Sequence, residues 1–401
     1  GIKRDRKGWF GDARITGETI NSAFFRESPS VAMMRKLPTD SWVNAIPNYS
    51  FDCLAMLKQH ILFYGLDNAE LKDIWDSVKA FMNWVIAAQL DESGLITFTH
   101  PDDYFFGIGF TDWSPQPPGG RFEELACLQF SWLECLRNAK TVAEWFGDWR
   151  HVDTYAQRCS ELSRLLRERF WQEGVGFHHT LNMSVPKTTA WEMPLTPRIH
   201  YTRTYEKKER RGPSGPSFQS CSRAVFAGLC GEAERAFLRD SVFPSESIPE
   251  VITSYYKYYQ NWARAVCGDA DGALRDCRSF FGSMLQNHDS PCIWEHYEPA
   301  VDGIRALSLG SWPKSLCHGW GSGTVPIARR FLLGVDILAP GMRKIRLSPE
   351  SSLDWTFSAT VPTPFGVISI EKEHAAGPTV YTVPREIECV AQDNVVVKKQ
   401  R

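Results

Sequence analysis

Hydrophobic residues recur with a helical period along most of the chain up to Pro340. The pattern is clearest over residues 68–90, where Leu71, Ile74 and Val78 fall on one helical face. The same spacing predicts helices over residues 13–37 (split at Pro29), 48–64, 123–146, 149–171, 217–229, 233–242, 251–267, 269–287 and 315–334. Because short turns separate most neighbours, we expect antiparallel helix pairs.

The hydrophobic period changes to two residues after Pro340, which is typical of strands. The alternating segments are residues 343–347, 355–361, 366–371 and 395–397. We predict a helical domain over residues 1–337 and a β-sandwich over residues 338–401. About eleven helices without an internal sequence repeat favour a closed ring over an open solenoid. The predicted fold class is mainly α, an (α/α)6 barrel with a small C-terminal antiparallel β-sandwich.

Residues 96–121 interrupt the helical pattern with a long aromatic connection. Residues 96–98 and 105–110 look like short strands, and Asp112-Trp113-Ser114-Pro115 follows them. Long irregular loops between regular elements often carry function. We therefore treat Asp112 and Trp113 as candidate site residues.

Composition excludes several classes of partner. The net charge of −2 and the pI near 6.6 do not give the basic face that nucleic-acid binding needs. We also expect no membrane partner, because no apolar run reaches the length of a membrane span. The aromatic content of 13%, with 15 tryptophans, suits stacking on sugar rings.

The eleven cysteines follow no disulfide framework and include no C-x-x-C pair. Free thiols buried on helix faces are the favoured interpretation, so we expect a reducing, cytoplasmic location. No metal-ligand spacing is visible, and we expect neither a metal nor a cofactor.

The first twelve residues combine charged side chains with large aromatic side chains that are unfavourable to expose to water. Asp5 and Asp12 lie among basic residues and next to Trp9. A charged terminus is usually a solvated tail, but tryptophan is rarely left in water. Gly8 and Gly11 predict sharp turns around the aromatic pair. We therefore expect this stretch to pack against the protein.

Glu295 is the second candidate carboxylate. It lies between Trp294 and His296, whose rings should desolvate it and raise its pKa, as a general base requires. Glu298 is a weaker candidate because Pro299 follows it.

Residues 315–323 place His318 and Trp320 among glycines at the predicted start of a helix. Two interpretations stay open. The glycines could allow a polar ligand to approach the backbone, or they could only allow close helix packing.

Five motifs taken in order resemble bacterial and fungal α-L-rhamnosidases of glycoside hydrolase family 78. The motifs are Lys-Arg-Asp-Arg-x-x-Trp-x-Gly-Asp at 3–12, Asp-Trp-Ser-Pro at 112–115, Tyr-Lys-Tyr-Tyr at 256–259, Trp-Glu at 294–295 and Ser-Leu-Cys-His-Gly-Trp at 315–320. The resemblance implies the same barrel and sandwich, and hydrolysis of terminal α-L-rhamnosides with inversion.

The resemblance also implies roles for individual residues. The general acid follows the arginine of the first motif, which is Asp5, and the general base is Glu295. Asp12 matches a carboxylate that holds sugar hydroxyls. Other substrate-binding positions are Arg4, Trp9, Asp112, Trp113, Trp294, His318 and Trp320.

The family motif opens with one further aspartate directly before the position of Gly1. Relatives carry β-sandwich domains ahead of the barrel, so the resemblance implies such domains in the full-length protein. The expected partner is a rhamnose-containing glycoside or polysaccharide.

Inverting hydrolysis requires the two carboxyl groups to lie about 6.5–9.5 Å apart, which leaves room for the attacking water. Arg4 and Arg6 would lower the pKa of Asp5, so we expect both to turn away from it. If a guanidinium clamps Asp5 instead, Asp12 becomes the candidate acid.

Two other functions stay open. A polysaccharide lyase acting on a rhamnose/uronate glycan could use Tyr256 or His318 as base, with Arg4 neutralising the uronate. A catalytically inactive glycan-binding homologue is the other.

Overall fold

The computed structural model describes residues 8–25, 30–97, 111–117, 122–185, 209–210, 212–287, 290–298, 308–309, 312–313 and 315–400. Its α-helices are α1 Phe10–Phe24, α2 Ser30–Met34, α3 Pro47–Tyr64, α4 Glu70–Ala88, α5 Ala126–Phe146, α6 Trp149–Phe170, α7 Phe218–Phe226, α8 Glu232–Phe237, α9 Ser254–Val266, α10 Ala270–Leu285 and α11 Thr324–Ile327. Most of the helices predicted before residue 290 are present within a few residues of their predicted ends.

Alternate helices form a closed inner ring. Helix α1 packs on α3, α3 on α5, α5 on α7 and α7 on α9. The segment from Gly319 through α11 then contacts both α9 and α1, which closes the ring. Helices α6 and α10 pack outside their partners α5 and α9. This arrangement confirms the predicted (α/α)6 barrel.

The local sequence explains where several inner helices begin. Pro47 occupies the first turn of α3. A backbone N–H at this position has no acceptor within the helix, so the missing N–H of proline costs no hydrogen bond. Ser217 caps α7 in a reciprocal box with Ser220, and the Thr253 side chain caps α9 by accepting from Tyr256 N–H. These caps fix the ring helices at the end where the candidate residues lie.

The predicted helix over residues 315–334 is wrong as a single element. The structure has a 3-10 turn at Gly319–Gly321, then α11 and a π-helical turn at Ala328–Leu332. Glycine is a poor helix former, and three glycines in alternate positions outweigh the apolar pattern. Two of them are needed for close packing, because a Cβ on Gly321 would lie 2.2 Å from Ile293 Cγ2, and one on Gly323 2.6 Å from Tyr258 Cδ2.

The turn predicted at Gly11 is also wrong. Gly11 lies in the first turn of α1, and its φ is not in the left-handed region. A Cβ there would lie 2.3 Å from Tyr49 Cε1. Glycine is therefore required by the close approach of α1 to the Tyr49 ring. The β-like residues 98 and 105–110 lie outside the described residues.

The strands are β1 Trp171–Gln172, β2 Gly176–Phe177, β3 Ser184–Val185, β4 Glu209–Arg210, β5 Ser308–Leu309, β6 Trp312–Pro313, β7 Val335–Ile337, β8 Lys344–Leu347, β9 Phe357–Thr363, β10 Gly366–Lys372, β11 Thr379–Val383, β12 Glu388–Ala391 and β13 Val395–Lys399. The C-terminal strands form two sheets, ordered β13-β11-β10-β9 and β12-β8-β7. Both sheets are mixed rather than wholly antiparallel, because β11 pairs with β13, and β8 with β12, in parallel.

The sandwich has its own apolar core, which includes Val361, Ile368 and Tyr381. Phe63 near the C-terminal end of α3 packs into that core, so the sandwich rests on the helical ring. Strand β7 belongs to the sandwich and ends at Ile337. The division between residues 337 and 338 stays a prediction.

No helix in the described ranges is long and apolar enough to cross a membrane.

A buried histidine makes the stability of this fold depend on pH. His60 of α3 packs against Tyr64 with ring centroids 4.8 Å apart and ring planes tilted by 33°, and burial lowers the pKa of its imidazole to about 4. The unfolded chain binds that proton near pH 6.5, so stability falls as pH drops from 6.5 towards 4. His60→Phe should flatten the urea-unfolding dependence over this range by up to about 1.4 kcal/mol per pH unit. His374→Gln, at an exposed site, is the control, and an unchanged slope in His60→Phe would contradict the assignment.

Candidate active site

The candidate residues meet at the N-terminal ends of the inner helices. Trp9 directly precedes α1, Tyr49 lies in the first turn of α3, and Thr253 caps α9. His318 directly precedes the 3-10 turn at Gly319–Gly321. Because each outer helix returns the chain, successive inner helices point the same way and their N-termini share one end of the barrel. Helix N-termini favour anions and hydroxyl oxygens at such an end.

Glu295 is held between two segments of backbone. Its N–H donates to Ser315 O at 2.8 Å, and its carbonyl accepts from Ser254 N–H at 3.1 Å. The same carbonyl accepts from Trp320 Nε1 at 3.0 Å. On the C-terminal side of Glu295, His296 makes an antiparallel bridge with Thr253. The main chain at Glu295 is therefore fixed from both sides.

The side chain of Glu295 is oriented as well as buried. The residue is 4% exposed, and Ser315 N–H donates to its Oε2 at 2.8 Å. An N–H donor that fixes one carboxylate oxygen sets the direction in which the other oxygen can act. Trp294 is buried behind it, and its indole Nε1–H donates to Ser290 O at 3.0 Å. The tryptophan thus packs the loop in place.

Asp12 and His318 form a second polar pair at the same end. His318 Nε2 lies 3.0 Å from Asp12 Oδ1, although 306 residues separate them in the chain. The Asp12 side chain keeps about a quarter of its surface exposed, and that of His318 is buried. Asp12 also lies in the first turn of α1, where the helix dipole stabilises a carboxylate. A partly exposed carboxylate oriented by an imidazole can accept hydrogen bonds from sugar hydroxyls.

Four aromatic rings line this end of the barrel, and we call them the aromatic floor: Trp9, Tyr49, Tyr255 and Trp320. Trp9 meets Tyr49 edge-on at 6.3 Å, and Tyr49 meets Tyr255 at 6.2 Å. Tyr255 stacks on Trp320 at 5.2 Å, and Trp320 contacts the His318 ring at 4.5 Å. Tyr49, Tyr255 and Trp320 are buried and Trp9 is half-buried, so Trp9 is the ring of the four that is best placed to meet the C–H face of a sugar.

Asp112 cross-links the segment 111–117 to the start of α9. Ser114 and Thr253 hydroxyls both donate to its Oδ2, at 2.6 and 2.7 Å, and Gln116 Nε2 donates to its Oδ1 at 2.7 Å. Burial raises the pKa of Asp112, and the hydrogen bonds from Ser114 and Thr253 oppose that rise. The sugar-binding role of Asp112 stays a prediction, and its visible contacts support the backbone beside Glu295.

The remaining predicted residues divide into two groups. Trp113 is half-buried against the main apolar core, next to Asp112. Arg4 and Asp5 lie outside the described residues, so the assignment of Asp5 as acid and its distance to Glu295 stay predictions.

Sequence reasoning missed two rings of the aromatic floor and the charges beneath it. Tyr49 and Tyr255 look like ordinary apolar positions of helices, although Tyr255 directly precedes the quoted 256–259 motif. Beneath them, Arg14 of α1 donates to Asp52 Oδ1 at 2.7 Å and to Glu134 Oε1 at 2.5 Å. The visible signal was a charged residue inside the apolar run of α5.

Solved structures share this fold. A family 78 rhamnosidase of Bacillus sp. GL1 superimposes with a TM-score of 0.74 at 19% identity, over 98% of this chain and 39% of its own. A Klebsiella oxytoca rhamnosidase with rhamnose bound gives 0.61 at 17% identity, over 82% and 59%. The α-L-rhamnosidase of Dictyoglumus thermophilum gives 0.62 at 15% identity, over 97% and 41%.

These likenesses confirm the predicted fold of helical barrel and β-sandwich. The chain spans between 39% and 59% of the length of these three proteins. No family model matches the chain, and no curated protein sequence matches it.

Proposed function

We propose that this chain carries the catalytic site of a glycoside hydrolase that releases terminal α-L-rhamnose with inversion. The proposal depends on one observation: Glu295 and the Asp12–His318 pair lie at the same end of the helical ring. Trp320 links them, since its ring contacts His318 and its indole N–H donates to Glu295 O. The shared fold with solved rhamnosidases supports the choice of sugar.

In this proposal Glu295 is the general base. Its carboxylate removes a proton from water as the water attacks the anomeric carbon. Asp5 donates a proton to the glycosidic oxygen, which leaves as the alcohol of the aglycone. Asp12, oriented by His318, accepts hydrogen bonds from the sugar hydroxyls. Trp9 and Trp320 cover the C–H face of the sugar ring. Arg4 and Trp113 complete the proposed surroundings of the substrate, and the buried Trp294 supports the loop that carries Glu295.

The lyase alternative receives less support from the site. Tyr256 OH donates to Gln219 O at 3.3 Å, and burial raises its pKa well above the usual range. A buried phenol with a raised pKa is a poor base near neutral pH. His318 Nε2 is already engaged with Asp12.

The proposal is tested with a panel of 4-nitrophenyl glycosides and the 401-residue chain. We expect release of nitrophenol from the α-L-rhamnoside and none from matched β-D-glucoside and α-L-arabinofuranoside controls. Proton NMR during turnover should show β-L-rhamnose first, because inversion places water on the opposite face.

Three outcomes would contradict parts of this proposal. Absence of rhamnose release would overturn the hydrolase. An α-anomer as first product would overturn inversion alone. An unsaturated, ultraviolet-absorbing product from a uronate-containing glycan would favour the lyase.

A further inference from the structure

Two cysteines lie side by side in the two segments that hold the candidate site. Cys292 directly precedes Ile293, and Cys317 directly precedes His318. His318 N–H donates to Ile293 O at 2.9 Å, and Glu295 N–H donates to Ser315 O at 2.8 Å. Backbones joined by such bonds run about 5 Å apart, so the two cysteines, each one residue before a member of the bonded pair Ile293–His318, lie on neighbouring segments.

The thiols are also accessible and in mutual contact. Cys317 is exposed and Cys292 half-buried, whereas seven of the other nine cysteines are buried. Partial desolvation and then the neighbouring Cys292 thiol, by charge and by hydrogen bonding, raise the pKa of Cys317. The hydrogen bond from one thiol to the other places the two sulfurs next to each other.

We propose that Cys292 and Cys317 are a thiol-modification site, a dithiol that hydrogen peroxide closes to an intramolecular disulfide. The exposed Cys317 thiol loses its proton and attacks peroxide, a step that quickens as pH rises because the pKa of this thiol is raised. The O–O bond breaks, the sulfur becomes a sulfenic acid, and the hydroxide that leaves takes up the proton and becomes water. The Cys292 thiol then attacks that sulfur and releases a second water. In total, two thiols lose two hydrogens and one peroxide is reduced to two waters.

The bridge would fasten the segment that carries Glu295 to the segment that carries His318. The two segments already share hydrogen bonds on both sides of the dithiol, and Ser290 Oγ adds one to Leu316 O at 3.3 Å. A disulfide here would therefore lock an existing arrangement. This proposal goes beyond the proposed function, because it concerns sulfur chemistry whatever reaction the site catalyses.

Peptide mapping tests the proposal directly. Trypsin should release residues 279–305 with Cys292 as their single cysteine, and residues 315–329 with Cys317 as theirs. After treatment with peroxide and blocking of free thiols, we expect these two peptides joined, with a mass two hydrogens below their sum. Dithiothreitol should separate them. The half-buried thiols of Cys230 and Cys389 should stay open to alkylation.

Stability gives a second readout. The oxidised chain should unfold about 2–4 °C above the reduced chain, and Cys317→Ser should show no such shift. Conversion of Cys317 to sulfinic acid while Cys292 stays alkylatable would overturn the proposal. A disulfide between two chains, or one to a different cysteine, would overturn it as well. None of these readouts depends on glycoside hydrolysis.

Discussion

Glu295→Gln should lower kcat on 4-nitrophenyl α-L-rhamnoside by about 10²–10⁴-fold while rhamnose binding stays measurable. The carboxamide has nearly the shape of the carboxylate but cannot take a proton from water. Because the base acts only in the transition state, kcat and kcat/KM should fall together. Stopped nitrophenol assays and calorimetric titration with rhamnose measure the two effects separately.

The loop around residue 295 should survive this change. The amide oxygen of glutamine can still accept from Ser315 N–H, and the backbone bonds to Ser254 and Trp320 involve no side chain of residue 295. Glu298→Gln is the matched control, at a half-buried glutamate on the same segment. Turnover like that of the unaltered chain in Glu295→Gln would exclude Glu295 as base. An equal loss in Glu298→Gln would point to the loop rather than to one carboxylate.

The helices were predictable because their signal is local. An apolar stripe every three or four residues is legible within one segment, and helices α3 to α6 follow it closely. Strand pairing is not local. Strand β11 alternates over only five residues and was missed, and its parallel pairing with β13 depends on contacts that no single segment encodes.

The candidate site was predictable only in part. Glu295 was predicted from its aromatic neighbours and from the resemblance; the structure places it in a buried, hydrogen-bonded loop, and its role as base stays a prediction. Its orienting donor, Ser315 N–H, is a backbone group and leaves no sequence signal. The glycines around Trp320 allow close packing, which is one of the two interpretations that the sequence left open, and the approach of a polar ligand to their backbone stays a prediction. Gly321 permits close packing on Ile293, and the backbone beside it places Trp320 against Glu295.

Replacing Glu134 by glutamine should cost about 3–5 kcal/mol of unfolding free energy. Glu134 accepts from Arg14 Nη2 at 2.5 Å through one oxygen and from Arg223 Nη1 at 3.0 Å through the other. Although burial pushes the pKa of Glu134 upwards, the two guanidiniums outweigh it and hold the pKa below its usual value. Removing that charge leaves two buried cations to share Asp52. Urea unfolding at pH 7 measures the loss.

Glu168→Gln is the matched control for this prediction. Glu168 of α6 pairs with Arg164 at 2.9 Å, but their side chains are 55% and 72% exposed. Water screens an ion pair at such a site, so its loss should cost less than about 1 kcal/mol. The two variants thus compare the same Glu→Gln substitution at a buried site within the helical ring and at an exposed site on α6.

Charge balance gives the sharper test. Adding Arg223→Gln to Glu134→Gln removes one cation with the anion and leaves Arg14 paired to Asp52 at 2.7 Å. The double variant should therefore be less destabilised than the sum of the two single variants, by about 1–3 kcal/mol. Strict additivity would show that the two residues do not act as a pair. A cost under about 1 kcal/mol for Glu134→Gln alone would show that the ring does not depend on its buried charges.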